Sequence, residues 1–143
     1  MGLRRQAREA TLRILFQYDF TKNRTNQKFN RLPDKPNNKE PLVTNKRVEE
    51  FADSLVEGVI KHLSIIDGMI KENSQNWSLG RMSVVDRNIL RFAIYELLYR
   101  NDIPVKVTID EAIEIAKKYG DENSGGFING ILDNIVKVEE IRK

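Results

Sequence analysis

The chain has 143 residues, no cysteine, a single histidine and a formal net charge of +3. This length suits one domain spanning 1–143 that buries its own core; disulfides and thiolate metal sites are excluded, and neither a signal peptide nor a membrane span is visible, so a soluble cytoplasmic protein is expected. The charge is lopsided: residues 1–47 carry 12 Lys and Arg against 4 Asp and Glu, whereas residues 48–143 carry 12 against 17.

Leu3 to about Phe20 contains no proline and only good or neutral helix formers, which predicts a first helix. Residues 21–46 break the pattern with Pro33, Pro36 and Pro41 and many asparagines, and read as a basic irregular segment. From Val48 a helical stripe returns through Phe51, Ala52, Leu55, Val56, Val59, Ile60 and Leu63. Ser64 with Asp67 three later resembles an N-cap, so a new helix or a kink is expected there. Trp77 and Leu79 sit in a connection, with Trp77 read as a packing plug. Ser83 with Asp86 repeats the capping signature and opens a helix to about Arg100, ended by Ile103-Pro104. Thr108 with Glu111 is read as a third cap, and Gly120 as the stop of that helix. A polar turn, Asp121 to Gly126, precedes a last helix with Phe127, Ile128, Ile131, Leu132 and Ile135 inward. No strand alternation appears, so the class is all-α.

Catalytic chemistry is hard to assemble from these residues. His62 is alone on a helix, zinc sets built on Cys and His cannot form, and Gly125-Gly126 lacks phosphate-loop spacing. Adjacent carboxylates such as Glu49-Glu50, Asp110-Glu111 and Glu139-Glu140 diverge by about 100° on a helix and fit a solvated face. No catalytic residue, metal or cofactor is expected. The basic front is more informative. Arg4 and Arg8 lie one turn apart with Arg5 beside them, on a helix whose second half is apolar. The arginine-rich half is therefore expected to project, and guanidinium groups suit phosphate and base stacking; a merely solubilising terminus is the plainer alternative. Lys22, Arg24, Lys28 and Arg31 are candidates to extend the patch. Phe127, beside two glycines and near Asn123 and Asn129, reads either as a stacking platform for unpaired bases or as a core anchor.

Together these segments resemble the NusB family. The resemblance is carried by Arg5-Gln6-Ala7-Arg8-Glu9-Ala10 with Leu15-Phe16 and by the run RMSVVDRNILRFAIYELLY from Arg81 to Tyr99. The runs IPVKVTIDEAIEIAKKYG from Ile103 to Gly120 and NSGGFINGILD from Asn123 to Asp133 complete it, so that it covers about four-fifths of the chain. It implies about seven helices in two small packed bundles. It also implies antitermination: binding of single-stranded boxA leader RNA of ribosomal RNA transcripts, together with the small-subunit ribosomal protein acting as NusE, within an RNA polymerase elongation complex with other Nus factors. By the same resemblance Arg4, Arg5, Arg8, Asn123, Ser124, Phe127 and Asn129 match the RNA site, and Phe16 and Asp86 the partner contact. Gly126 departs from the pattern, because many members carry a basic residue there. Two other readings compete. An RNA cytosine methyltransferase with a front domain of this kind needs a cofactor domain behind it, and none follows before Lys143. A protein–protein adaptor with an incidental basic end would bind RNAs with and without boxA equally weakly.

Overall fold

The computed structural model describes residues 2–21, 45–74 and 82–141. Six helices appear among them, with no strand: α1 (Leu3–Thr21), α2 (Lys46–Lys61), α3 (Leu63–Asn73), α4 (Val84–Tyr99), α5 (Val105–Tyr119) and α6 (Ser124–Val138). None of these is long and apolar enough to cross a membrane. Most of the irregular segment expected at 21–46, including Lys22, Arg24, Lys28 and Arg31, lies outside the described residues, as do Trp77, Leu79 and Arg81. The ends of that segment are helical, since Thr21 closes α1 and Lys46 opens α2.

Local chemistry sets most of these boundaries. The Asn45 side chain accepts the Arg47 N–H at 2.8 Å and so caps α2. Ser83 caps α4 by accepting the Asp86 N–H at 3.0 Å, as its spacing predicts. The break between α2 and α3 falls at His62, two residues before the expected Ser64, and the His62 side chain makes no capping bond. Thr108 is not a cap either. Proline is well suited to the start of a helix, and α5 begins right after Pro104, leaving Thr108 inside it and 2 % exposed. Likewise α6 starts at Ser124, so Gly125 and Gly126 belong to the helix rather than to a turn.

The order of the helices is folded around α4, which packs against all five others. Its buried residues face several directions, from Ile89, Leu90 and Ile94 to Phe92, Ala93 and Leu97. They join Leu15, Ile66, Ile70, Ile115, Leu132 and Ile135 in the larger apolar cluster. A smaller cluster of Ala7, Ala10, Val48, Phe51, Ala52, Leu55 and Ile103 seals α1 against α2, and Tyr95 packs against both clusters. Each large aliphatic side chain withdrawn from water contributes about 1.5–3 kcal/mol. The α2–α4 contact is close because residue 58 is glycine: a Cβ there would come within 2.1 Å of the Tyr95 ring. One polar knot ties three helices. Arg91, 2 % exposed, donates to both oxygens of Asp67 at 2.8 Å and to both oxygens of Asp19 at 3.0 Å.

Candidate nucleic-acid interface

The three front arginines have different surroundings. Arg4 is 53 % exposed, and its nearest acid is Asp102 at 3.9 Å. Arg5 is half-buried and grips Glu111 with two bonds, one from Nε to Oε1 and one from Nη2 to Oε2 at 2.7 Å. That grip holds the Glu111 carboxyl below its ordinary value through the hydrogen bond from Arg5. Arg8 is 2 % exposed and does not project. Its Nε and Nη2 donate to Glu96 at 2.6 and 2.9 Å, and the Thr108 hydroxyl donates to the same fully buried carboxylate at 2.7 Å. The expected surface role of Arg8 is therefore corrected: a buried Glu96 needs its charge compensated, and Arg8 supplies that.

Arg5, Glu9 and Arg13 recur every four residues and so share one face of α1. From that face side chains reach across to α5. Arg5 meets Glu111 at the middle of α5, while Glu9 accepts from Lys118 Nζ at 3.1 and 3.2 Å and from the Tyr119 hydroxyl at 2.9 Å at its end. Burial pushes the Tyr119 hydroxyl up, the bond to Glu9 adds to this, and the positive charge of Arg13 opposes it. Arg13 thus lies near the α5–α6 turn, and its Nε is buried without a hydrogen-bond partner. The Lys118 side chain remains 51 % exposed.

The turn that follows is tightly built. The Ser124 hydroxyl accepts the Asp121 N–H at 3.0 Å, and the Asp121 carboxylate accepts the Asn123 N–H at 2.8 Å. A Cβ on residue 120 would lie 2.4 Å from the Ser124 oxygen, so glycine is required for this close approach. Ser124 is 1 % exposed, so its hydroxyl is held within the turn and not offered at the surface. Asn123 and Asn129 are exposed, and Phe127 is half-buried, packed against the larger cluster. Gly126 faces open space, with nothing within 4 Å of a Cβ built there.

Asp86 is also turned inward. It is 7 % exposed in the first turn of α4, with Oδ1 buried and lacking a hydrogen-bond partner. Burial pushes its carboxyl up; bonds with the Ser124 and Ser83 hydroxyls oppose this, and the charge of Asp121 adds to it. Its expected direct docking contact is therefore corrected to a strut beneath the α5–α6 turn. Phe16 is half-buried, one turn before Asp19, which takes Arg87 at 3.2 Å and Asn88 at 2.8 Å. That places Phe16 beside the opening turns of α4.

The expected site residues thus fall in two groups, Arg4 and Arg5 in the opening turns of α1, and Asn123, Phe127 and Asn129 in the α5–α6 turn and α6. Eight residues separate Arg5 from Arg13, about 12 Å along the helix. Lys118 and Arg13 bridge that interval, and sequence reasoning passed over both. The four-residue spacing of Arg5, Glu9 and Arg13 was the available signal for Arg13. His62 has no catalytic setting: its ring stacks on Tyr99 at 4.0 Å. No group of three or more His, Cys, Asp or Glu able to hold a metal occurs among the described residues.

Comparison with known proteins adds a further finding. Residues 5–137 match the family described as the NusB family. The transcription antitermination protein NusB of Trichlorobacter lovleyi is 47% identical over 135 residues, covering 94% of this chain and 91% of that protein. The solved structure of T. maritima NusB superposes with a TM-score of 0.76 at 44% identity, covering 94% of this chain and 90% of that one. A structure of the antitermination factors NusB and NusE in complex with dsRNA matches with a TM-score of 0.75 at 25% identity, covering 96% and 98%.

Proposed function

The chain belongs to the NusB family, and from that premise we propose that it is a non-enzymatic, cytoplasmic transcription antitermination factor. It binds single-stranded boxA-type leader RNA of ribosomal RNA transcripts together with the ribosomal protein acting as NusE. The observation that carries the site assignment is the α1–α5 seam. Half-buried Arg5 and Arg13 and exposed Lys118 flank it, with Asn123 and Phe127 in the turn and helix that follow α5. Cations along the seam hold phosphates, the partly exposed Phe127 ring stacks a base, and the amides of Asn123 and Asn129 read base edges. Arg8, Ser124 and Asp86 support this surface from beneath. The partner protein docks around Phe16, and the whole chain acts as one domain. The net −5 of residues 48–143 favours a basic protein there.

The test is a titration of the chain with boxA RNA and a scrambled RNA of equal length, with and without the ribosomal protein, at two salt concentrations. The boxA strand binds more tightly, and more so with the partner. Affinity falls with salt by about 0.7 log units per log unit for each phosphate held. Equal affinity for both RNAs with the partner present would establish the adaptor reading instead.

A further inference from the structure

A second basic feature lies outside the seam, where the first turns of α1 and α2 meet. Phe51, only 9 % exposed, has three guanidinium groups around its ring: Arg4 at 4.4 Å, Arg100 at 5.1 Å and Arg8 at 5.4 Å from the centroid. Two of the three are neutralised within the protein. Arg8 is bound by Glu96, and Arg100 donates Nε and Nη2 to the two oxygens of Asp102 at 2.9 Å each. Arg4 has only its longer approach to that same, already engaged carboxylate.

Beside Arg4 opens a groove of about 480 Å³ lined by Leu3, Arg4, Arg47, Glu50 and Phe51. Arg47 and its neighbour Lys46 are exposed and enter no ion pair among the described residues. Cations in a first helical turn oppose the helix dipole, and both helices open with them, uncompensated in the first turn of α1 and offset in part by Glu49 in that of α2. Leu3-Arg4-Arg5 opens α1 and Lys46-Arg47 opens α2. Arg4 lies one residue before Arg5 and about 100° round the helix from it, so the groove opens on the flank of α1 next to the one that carries the seam. An anion seated between the two turns would relieve this repulsion, and a nucleic-acid strand leaving the seam at Arg5 meets the groove next.

We propose that this groove holds a phosphodiester of the RNA strand beyond the part gripped along the seam, with Arg4 and Arg47 as its two cationic walls. Glu50, the acid of the groove, weakens that grip and so keeps the contact reversible. The inference rests on the RNA-binding reading of the seam and adds to it a site on α2. The Arg4 guanidinium lies 4.4 Å over the Phe51 ring, and cation–π attraction favours that position before any ligand arrives.

The experiment is fluorescence anisotropy of the full chain with a single-stranded boxA RNA flanked on both sides, and with RNAs trimmed stepwise from either end. Arg47→Glu weakens the flanked RNA about tenfold and lowers its salt slope by about 0.7, while leaving an RNA trimmed short of the groove unchanged. Glu50→Gln tightens the flanked RNA about two- to threefold, a gain that damage to the fold cannot imitate. Parent-like affinity of both variants for every RNA overturns the groove. If Phe127→Ala and Arg5→Glu still weaken binding in that case, the seam stands and the groove alone is lost. If those two variants are also silent, the RNA reading fails with it.

Discussion

Arg4, Arg5 and Arg8 carry the same guanidinium within two turns of one helix, yet their neighbours give them three roles. Arg8 sits with Glu96 in a dry interior, so removing either partner strands a buried charge. Arg8→Ala should lower the unfolding free energy by about 3–5 kcal/mol in denaturant titrations. Arg4→Glu, at a half-exposed position, should stay within about 0.5 kcal/mol of the parent while weakening RNA. Equal stability losses for the two would refute this division. Arg5 stands between them: two of its donors are engaged by Glu111, and a phosphate must compete with that carboxylate. Glu111→Gln removes the competing charge and keeps the shape, so RNA affinity should rise a few-fold by the same electrostatic logic. A fall in affinity would mean that Glu111 positions Arg5 for RNA rather than occupying it.

At the scale of elements, α6 offers a clean addition. Gly126 lies within its first turn with open space around it. Gly126→Lys replaces a poor helix former but sets a cation in the first turn of α6, so the two effects offset and stability should stay within about 0.5 kcal/mol of the parent. It also places a charge one residue from Phe127, so RNA should bind several-fold more tightly with a salt slope steeper by about 0.7. Unchanged affinity would put the phosphate path elsewhere. The helices themselves were legible in the sequence because their signals are local: the Val48–Leu63 stripe, the Ser83–Asp86 cap and the Pro104 stop each act within a few residues. The Thr108–Glu111 cap misled for the same reason. Its spacing is right, but Pro104 starts the helix earlier, and the Thr108 hydroxyl is taken by Glu96. The site was only half legible. The exposure of Arg4 and Asn123 follows from residue type and setting, whereas the fate of Arg8 depends on a carboxylate 88 residues away. Ser124 and Asp86 are hidden for a related reason, since their meeting is set by how α4 receives the α5–α6 turn.

Across the whole molecule, buried carboxylates set a pH profile with two opposing parts. Asp19, against Arg91, Arg87 and Asn88, has its carboxyl held below the ordinary 3.8 even though burial opposes this. Glu111 is held below 4.5 by Arg5, and Asp102 is lowered to about 2 by Arg100. Groups of this kind contribute stability above their unfolded values and lose it as pH falls through their folded ones. Melting temperature should therefore drop below about pH 4.5, mostly through Asp19 and Glu111, because Asp102 is 53 % exposed and its pair is screened by solvent. Asp86 works in the other direction. Burial raises its carboxyl above 3.8, so the native state holds that proton longer than the unfolded chain, and stability falls as pH rises through the interval. Its buried, unpartnered Oδ1 carries a cost whenever the carboxyl is charged, set against the benefit of a negative charge in the first turn of α4. Asp86→Asn keeps the shape and removes the charge. Its melting temperature should exceed that of the parent at pH 7, and the advantage should shrink as the pH approaches 3.8. A variant that melts lower than the parent at pH 7, or by a margin independent of pH, would show that the Asp86 charge is compensated in the fold. The strut beneath the α5–α6 turn would then be an anchor for Ser124 and not a point of strain.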